Sequence, residues 1–542
     1  MAGRLLSRLA GQPVWLLVLC GVSFFVFLGG HMLWDVDEPN NAVCAREMLT
    51  AGNWWVPVFN GDLRFDKPIL IYWLMMPLYA VFGISEFTAR LPSAMAMTGL
   101  MYVIWYFTCR LMDRSAATIA AVLFASALHM VVIARAAVPD PLLMLCLGFA
   151  LLAFLTVYME ARQGKPSSTR LLMAAYAALG LGMLAKGPIA AAMPVLILSA
   201  FLTLQRDWAS WRVFRPWMGI AIAAAIALPW YIAVGVLTDG EWLRGFLFHH
   251  NLDRFTDSLQ GHRGFPGLYV VSFILGWFPW SGLLVCVLAF GAWRLTRLRE
   301  QPMRLFLLCW LGVFLIFFSI ARTQLPNYML PAFPAAAVLI VLWLHRADES
   351  LHQKAWRWLA WTALAMGLIL AAGGAVAIQR MWPGEWFYAL ALAPVAAGAA
   401  WWLKQRNGPP LTPVLAGMVA TVMLLVGWSV PGIDHHKVTR QLAKRADAAG
   451  FDGKSLATFH YFQPSLLYYH GGRLPQLGDV QAVGRWLVRG RAVVMPEQAL
   501  AELPREILPY LLIHARVHGL YARKMLLLLS LQPVEGMAWP KG

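Results

Sequence analysis

The sequence predicts an all-α polytopic membrane protein with about thirteen transmembrane helices, followed by a small α/β domain. Of the 542 residues, 60% are hydrophobic and 13% are charged, a balance that excludes an ordinary soluble globule. The apolar residues lie in continuous runs and do not alternate with polar ones, so helices rather than β-strands are expected to cross the membrane. After about residue 431 the sequence becomes mixed polar and apolar, which predicts a separate domain.

Windows of about 20 apolar residues predict where each helix crosses the membrane. The first window is too long for a signal-peptide core and lacks a small-residue cleavage site, so it is expected to remain as a span. The windows are 13–33, 88–109, 115–134, 138–159, 170–185, 188–205, 216–236, 266–291, 305–321, 328–344, 358–379, 386–402 and 411–431.

Lysine and arginine predict the orientation of these spans. They concentrate in every second loop, beginning with the N-terminal segment, whereas most acidic residues lie in the alternate loops. Because basic loops stay in the cytoplasm, the N-terminus is predicted to be cytoplasmic, and an odd number of spans puts the C-terminal domain outside. The net charge of +17 suits anionic lipid headgroups and gives no indication of nucleic acid binding.

The predicted domains are a membrane domain over 1–431 and an outer domain over 432–542. Within the outer domain, "HGGRLPQLGD" contains turn residues and "RAVVM" resembles a short strand. The six cysteines of the chain are scattered singly, mostly within apolar runs, which is typical of neither a disulfide framework nor a metal knuckle.

Two segments on the outer side, 34–87 and 237–265, are unusually long and amphipathic. The first segment reads as two short helices that lie along the membrane surface, and Trp54, Trp55 and Trp73 suit that interfacial zone. A channel or a scaffold gains little from two such segments on one face. They indicate a functional site at the outer interface.

Ionisable residues and one tyrosine collect at the ends of the spans on this face. Such groups are costly at membrane depth and are usually functional. Carboxylates can deprotonate a hydroxyl, and cations with a tyrosine can hold a phosphate. The candidates are Asp37, Glu38, Asp66, Lys67, Arg135, Asp140, Lys186, His249, His250, Arg254, His262, Arg263, Arg322 and Tyr328.

Most of these residues also have a structural interpretation. Asp37 and Asp140 could cap helices, and Lys67 could extend its charge to the interface from the start of a helix. The arginines could be interfacial anchors. Adjacent His249 and His250 lack the i, i+4 spacing of helical metal ligands, which disfavours a metal site built from that pair alone.

Taken together, the candidates fit one reaction. Transfer of a sugar from a polyprenyl phosphate needs a base for the acceptor and positive charge for the departing phosphate. It needs no soluble nucleotide, and the sequence contains neither a Walker A motif nor a dinucleotide-binding fingerprint.

Several motifs resemble those of the membrane-embedded GT-C glycosyltransferases of the protein O-mannosyltransferase type. The similarity is greatest to the bacterial branch that transfers aminoarabinose (4-amino-4-deoxy-L-arabinose) to lipid A. The motifs occur in the family order along residues 1 to about 345. They are "DVDEPNNAVCAREML", "GDLRFDKPILIYW", "LAKGPIAAAMP", "HHNLDRF" with "GHRGFPGLYV", and "LPNYMLP".

The resemblance implies the GT-C fold, an undecaprenyl-phosphate-linked sugar as donor, a periplasmic acceptor, and inversion at the anomeric carbon. It implies that Asp37 is the catalytic aspartate and that Asp140 is a second acid near the acceptor. Glu38, beside Asp37, is a further catalytic candidate. The remaining implied residues hold the lipid phosphate. They are Lys67, Arg254 and Tyr328, with Lys186, Arg263 and Arg322 as further candidates.

The same resemblance bears on metal binding and specificity. Asp66 stands where relatives have a metal-binding glutamate, and His249 or His250 would be its partner. A structurally bound zinc ion is therefore left open, although the reaction requires no cofactor. Pro39 and Asn41 depart from the family pattern, which leaves the acceptor and sugar preference open.

The sequence thus predicts a monomeric inner-membrane glycosyltransferase that moves a sugar, best matched by 4-amino-4-deoxy-L-arabinose, from undecaprenyl phosphate to lipid A phosphate. Another glycan or a protein is an alternative acceptor. Two rival hypotheses of a different class are a flippase for an anionic lipid and a subunit that binds lipid-linked glycan without chemistry. A flippase would carry its charges near the membrane midplane and would show repeated halves, and neither feature is present in the sequence.

Overall fold

The structure, a computed structural model, describes residues 14–247, 267–290, 295–406, 408–519 and 524–532. The chain forms two compact units, each built from separated stretches of sequence. The first unit contains Met1–Leu28, Phe65–Leu74 and Arg90–Ser429. The second unit contains Gly29–Arg64, Met75–Ala89 and Val430–Gly542.

Helices dominate the described residues before the C-terminal segment. The α-helices are Val14–Cys20, Asp37–Thr50, Leu70–Phe82, Glu86–Leu111, Arg114–Ala125, Leu128–Ala134, Asp140–Arg162, Thr169–Lys186, Ile189–Gln205, Pro216–Leu237, Glu241–Arg244, Leu268–Gly276, Ser281–Phe290, Leu295–Arg299, Pro302–Ile320, Phe333–Arg346, Glu349–Met381, Ala393–Gln405 and Leu411–Leu424. Turns of 3₁₀-helix span Trp208–Phe214, Pro326–Ala332 and Trp386–Leu392, and π-helical turns span Gly21–Phe25 and Leu425–Ser429.

Every predicted membrane window overlaps at least one of these helices, but the count of thirteen spans is not confirmed. Seven described helices are long and apolar enough to cross a membrane, and a further pair would make an eighth span. That pair, Arg114–Ala125 and Leu128–Ala134, is bent by 66°. Four shorter apolar helices are Val14–Phe25, Leu70–Phe82, Ile189–Gln205 and Ser281–Phe290.

Burial differs sharply among the spans of the first unit. Residues Asp140–Arg162 and Pro326–Arg346 have 83% of their most apolar window buried, whereas Glu349–Met381 has 11%. The first two therefore form the centre of the bundle, and the long helix presents most of its surface outward. Asp140 and Tyr328 belong to these two central elements, so both are fixed by packing rather than by flexible loops.

The segment between the first two membrane windows contains the two predicted helices, Asp37–Thr50 and Leu70–Phe82. It also contains a hairpin that the periodicity analysis did not predict, with strands Val58–Phe59 and Asp62–Leu63. Asn60 and Gly61 both have positive φ, 55° and 90°, as a tight Asn-Gly hairpin turn requires.

The second unit contains a five-stranded mixed sheet from the C-terminal segment. In spatial order its strands are Gln476–Leu477, Leu456–Phe459, Ala492–Pro496, Met525–Leu531 and Leu511–His518. The first three strands run parallel to one another. Met525–Leu531 pairs antiparallel with Ala492–Pro496 on one side and with Leu511–His518 on the other. The predicted strand "RAVVM", residues 491–495, overlaps strand Ala492–Pro496, which pairs with Met525–Leu531 in the register Val493↔Leu529.

Helices accompany this sheet. They are Val430–Ile433, Thr439–Ala448, Pro464–His470 and Val480–Leu487, with 3₁₀ turns at Asp434–His436, Glu497–Glu502 and Arg505–Tyr510. Phe459, Leu487, Val493 and Leu529 belong to one buried cluster, which packs Val480–Leu487 against the sheet. The unit therefore has a hydrophobic core of its own.

Candidate functional site

One cavity in the first unit is lined by five of the residues singled out in the sequence. Its volume is about 520 Å³. The five residues are Asp66, Lys67, Asp140, Lys186 and Tyr328. They come from four separate positions in the sequence, so the fold brings together groups that the sequence could only nominate one by one.

Asp140 and Lys186 meet because of where their helices begin and end. Asp140 is the first residue of Asp140–Arg162, and Lys186 is the last residue of Thr169–Lys186. An acid at a helix N-terminus and a lysine at a C-terminus both complement the helix dipoles. Lys186 Nζ donates to Asp140 Oδ1 at 2.6 Å, and the two side chains are only 19% and 13% exposed. The pair is thus a charge-assisted hydrogen bond in a largely dry setting.

Lys186 also faces Tyr328. Its Nζ lies 5.7 Å from the centroid of the Tyr328 ring, within the range of a cation–π contact. The 3₁₀ turn Pro326–Ala332 carries Tyr328 just before helix Phe333–Arg346, and the Phe318 ring packs against it at 4.8 Å. One ammonium group therefore contacts both an acid and an aromatic ring at the cavity wall.

Asp66 and Lys67 reach the same cavity from the turn before helix Leu70–Phe82, and both are half-buried. Arg322 is exposed and lies between Ala321 and Thr323, two lining residues. Arg135 has a different place, because its buried guanidinium donates to the backbone carbonyl of Val26 at 2.8 Å. That contact supports a structural role for Arg135.

The rest of the cavity wall is mainly apolar. Aromatic side chains contribute much of it, and they are Phe246, Phe314, Phe317 and Phe318. A cavity with cations and acids at one part of its wall and hydrocarbon over the rest fits an amphiphile with an anionic head. Five other candidates lie outside the described residues, and their assignments stay predictions. They are His249, His250, Arg254, His262 and Arg263.

The sequence analysis missed two polar residues of this wall, Asn327 and Thr323. Asn327 Oδ1 lies 3.2 Å from Nε2 of His129, which comes from a distant helix. Asn327 directly precedes Tyr328 in a motif already singled out, so that motif could have pointed to it. Nothing in the sequence around His129 indicated this contact.

In the second unit, the three acids of the opening "DVDEP" motif have different surroundings. Glu38 is buried, and its Oε2 accepts a hydrogen bond from Trp34 N at 2.8 Å. Asp35 is half-buried and accepts two hydrogen bonds from Ser465. Asp37 is exposed at the start of helix Asp37–Thr50. Of the three, Asp37 therefore has the carboxylate that is most accessible to a substrate.

Comparison with known proteins gives the family. The sequence profile of the dolichyl-phosphate-mannose-protein mannosyltransferase family matches residues 66–232. An undecaprenyl phosphate-alpha-4-amino-4-deoxy-L-arabinose arabinosyl transferase from Erwinia tasmaniensis is 32% identical over 407 residues, which are 71% of this chain and 72% of that protein. The chain belongs to this arabinosyl transferase family. The resemblance seen in the motifs is thereby confirmed.

Another member of this family and a solved structure with the same fold are also similar to this chain. The protein of the same name from Pectobacterium carotovorum is 29% identical over 433 residues, covering 77% of this chain and 75% of that protein. The crystal structure of ArnT from Cupriavidus metallidurans bound to undecaprenyl phosphate superimposes with a TM-score of 0.79 at 22% identity, over 98% of this chain and 99% of that one. The two chains share one fold, and the expectation of a GT-C fold is confirmed.

Proposed function

We propose that this protein is an inverting glycosyltransferase that moves 4-amino-4-deoxy-L-arabinose from undecaprenyl phosphate to a periplasmic acceptor, with lipid A phosphate as the preferred acceptor. Its family membership supports the donor and the sugar. The observation that carries the proposal is the cavity in which Lys67, Lys186 and Tyr328 lie beside an aromatic wall. It combines the cation density that a lipid phosphate needs with a surface for its polyprenyl chain.

In the proposed reaction, an acceptor oxygen attacks the anomeric carbon from the side opposite the undecaprenyl phosphate. A carbon–oxygen bond forms to the acceptor, and the bond between the sugar and the phosphate breaks. The proton on the acceptor oxygen passes to Asp37, and the electron pair of the broken bond stays on the departing phosphate. Lys67 and Lys186 stabilise that growing negative charge, with Tyr328 as a hydrogen-bond donor.

Asp140 has two proposed roles that differ in their consequences. Its position in the family pattern supports a second acid near the acceptor. Its hydrogen bond to Lys186 supports a role in orienting the ammonium group toward the phosphate. Arg254, Arg263 and Arg322 are proposed as further phosphate ligands.

The reaction as proposed needs no metal ion. Asp66 lines the cavity and offers oxygen ligands for zinc. His249 and His250, its proposed partners, lie outside the described residues, so no step is derived through a metal. The chain is proposed to act as a monomer in the inner membrane, with its N-terminus cytoplasmic and its C-terminal segment periplasmic.

The test is a transfer assay on purified protein in lipid nanodiscs. Undecaprenyl phosphate-α-4-amino-4-deoxy-L-arabinose and lipid A are supplied, and mass spectrometry follows the sugar. Addition of the pentosamine to lipid A is the expected result. If the donor is consumed only when a different glycan or a protein is supplied, that molecule is the acceptor in place of lipid A. Movement of intact donor between leaflets, without transfer, would identify a flippase and contradict the proposal.

Replacing Asp37 tests the catalytic base. Asp37→Asn is expected to lower kcat by about 10²–10⁴-fold, the range for a positioned general base, while the KM for donor stays unchanged. Glu38→Gln separates the two neighbouring acids, because its amide oxygen can still accept from Trp34 N and its side chain is buried. Near wild-type turnover in Glu38→Gln is expected and would leave Asp37 as the base. Wild-type turnover in Asp37→Asn would remove Asp37 from this role.

A further inference from the structure

Residues 32–35 precede helix Asp37–Thr50, hereafter the catalytic helix, and they contact a part of the second unit that is distant in the sequence. Asp35 Oδ1 accepts a hydrogen bond from Ser465 N at 2.9 Å, and Asp35 Oδ2 accepts one from Ser465 Oγ. Ser465 lies in the first turn of helix Pro464–His470, and its Oγ is also 3.0 Å from Thr439 Oγ1. Both oxygens of the Asp35 carboxylate are therefore engaged by a residue 430 positions away in the sequence.

Lys437 holds the same segment from another side. Its side chain is 4% exposed, and its ammonium group donates to Met32 O at 3.2 Å. It lies 3.6 Å from the centroid of the Trp34 ring and pairs with Asp434 Oδ1 at 2.9 Å. Asp434 in turn accepts from Met32 N at 2.5 Å. A buried lysine with these partners fixes the backbone and the indole just before Asp37.

A third contact fixes the body of the catalytic helix. The buried Arg46 guanidinium donates to the carbonyl oxygens of Tyr468 and Leu467 at 2.9 and 3.2 Å. These carbonyls belong to the last turn of helix Pro464–His470, where Leu467 O also accepts from Gly471 N at 3.3 Å. Arg46 thus supplies donors to carbonyls at a helix end, where internal donors run out. The same short helix thus contacts the chain on both sides of Asp37.

We infer that residues 434–469 position Asp37 for the transfer reaction, with Ser465 and Lys437 as positioning residues. The inference rests on the proposed function, which makes Asp37 the base. Asp35, Glu38 and Arg46 form hydrogen bonds that hold the chain around residue 37 in place. Asp37 itself is exposed at the start of helix Asp37–Thr50. The C-terminal segment then acts on catalysis through the loop that it holds.

The protonation of Asp35 provides a readout that a purely structural contact would not move. Burial raises the pKa of Asp35 above its ordinary value, and the hydrogen bonds from Ser465 and the charge of Lys437 oppose that rise. The charge of Glu38 raises it further. Tyr461 also faces Asp35, and burial raises the pKa of this tyrosine so that it stays neutral. Removal of the Ser465 hydroxyl should therefore raise the pKa of Asp35.

The experiment compares Ser465→Ala with Ser455→Ala in the full-length protein in nanodiscs. Ser455 Oγ also donates to an aspartate, Asp452 Oδ1 at 2.7 Å, but this contact is local in the sequence. Ser465→Ala is expected to lower kcat by roughly 10- to 100-fold, as small displacements of reacting groups do, with the KM for donor unchanged. The acid limb of its pH–rate profile should shift to higher pH. Ser455→Ala should match the wild type in kcat, in the KM for donor and in the pH–rate profile.

The outcomes separate this inference from the proposed function. If Asp37→Asn is inactive while Ser465→Ala keeps the wild-type kcat and pH profile, the inference is wrong and the proposed base stands. If Asp37→Asn is fully active, the proposed base is wrong. Ser465→Thr keeps the hydroxyl and should recover most of the activity. Equal loss in Ser465→Thr and Ser465→Ala, or a loss explained by a smaller folded fraction alone, would overturn the positioning role.

Discussion

At the scale of single residues, the Lys186–Asp140 pair makes a prediction about donor binding. Lys186 Nζ is the cation that links Asp140 to Tyr328 in the cavity. Lys186→Met keeps much of the side-chain volume and removes the charge. Since a hydrogen bond to a charged group contributes about 1.5–3 kcal/mol, the KM for donor should rise roughly 10- to 100-fold. Steady-state kinetics with varied donor concentration measure this change.

The opposite end of helix Asp140–Arg162 offers a control for this prediction. Arg110 pairs with Glu160 at 2.6 Å, close to the last turn of Asp140–Arg162. This pair is more exposed, so Arg110→Met should leave the KM for donor within about twofold of the wild type. Similar effects of the two substitutions would show that loss of charge acts through stability and not through donor binding.

The sequence predicted residues whose type is unusual for their place, and it missed those whose role depends on a distant partner. Lys186 could be nominated because a lysine followed by Gly-Pro interrupts an apolar run. Ser465 and Lys437 could not, because a serine and a lysine in a polar segment are ordinary. Only the fold brings them to Asp35 and Met32.

At the scale of elements, the end of helix Thr169–Lys186 makes a prediction about Gly187. Its φ of +86° is one that side-chain-bearing residues rarely adopt, and a Cβ there would lie 2.5 Å from the ring of Phe246. Gly187→Ala should therefore displace Phe246, a lining residue, and move the neighbouring Lys186. We expect a loss of about 1–3 kcal/mol in stability and a higher KM for donor, measured by thermal unfolding and kinetics.

Gly164 provides the control. It also has positive φ, +72°, but a Cβ there would meet nothing within 4 Å. Gly164→Ala should share the backbone strain and lower the unfolding temperature, with the KM for donor unchanged. An unchanged KM in Gly187→Ala as well would contradict a role for this turn in shaping the cavity.

Hydrophobic periodicity predicted the helices well and their interruptions poorly. The window 266–291 is divided between Leu268–Gly276 and Ser281–Phe290, and the window 115–134 bends by 66°. A run of apolar residues has the same hydropathy whether its helix is straight or broken, because hydropathy carries no information about local backbone geometry. The Asn-Gly hairpin at residues 60–61 did carry a local signal.

At the scale of the whole molecule, the charge pattern predicts that the N-terminus is cytoplasmic and that the C-terminal segment is periplasmic. The second part depends on an odd number of membrane crossings. Seven spans would be odd and eight even, and the four shorter apolar helices can change the parity again. Helix length alone therefore does not fix the side of residues 432–542, and the periplasmic side remains a prediction from the distribution of lysine and arginine.

Cysteine labelling in intact cells decides between the two sides. The six native cysteines are free, and five of them are buried, so background labelling by a membrane-impermeant maleimide should be low. Ser350→Cys and Ala501→Cys place thiols at exposed positions, one in a loop predicted to be cytoplasmic and one in the C-terminal segment. We expect labelling at 501 once the outer membrane is permeabilised, and at 350 only after the inner membrane is opened. The reverse pattern would put Asp37 and the C-terminal segment on the wrong side for a periplasmic acceptor, and the proposed reaction would fail with it.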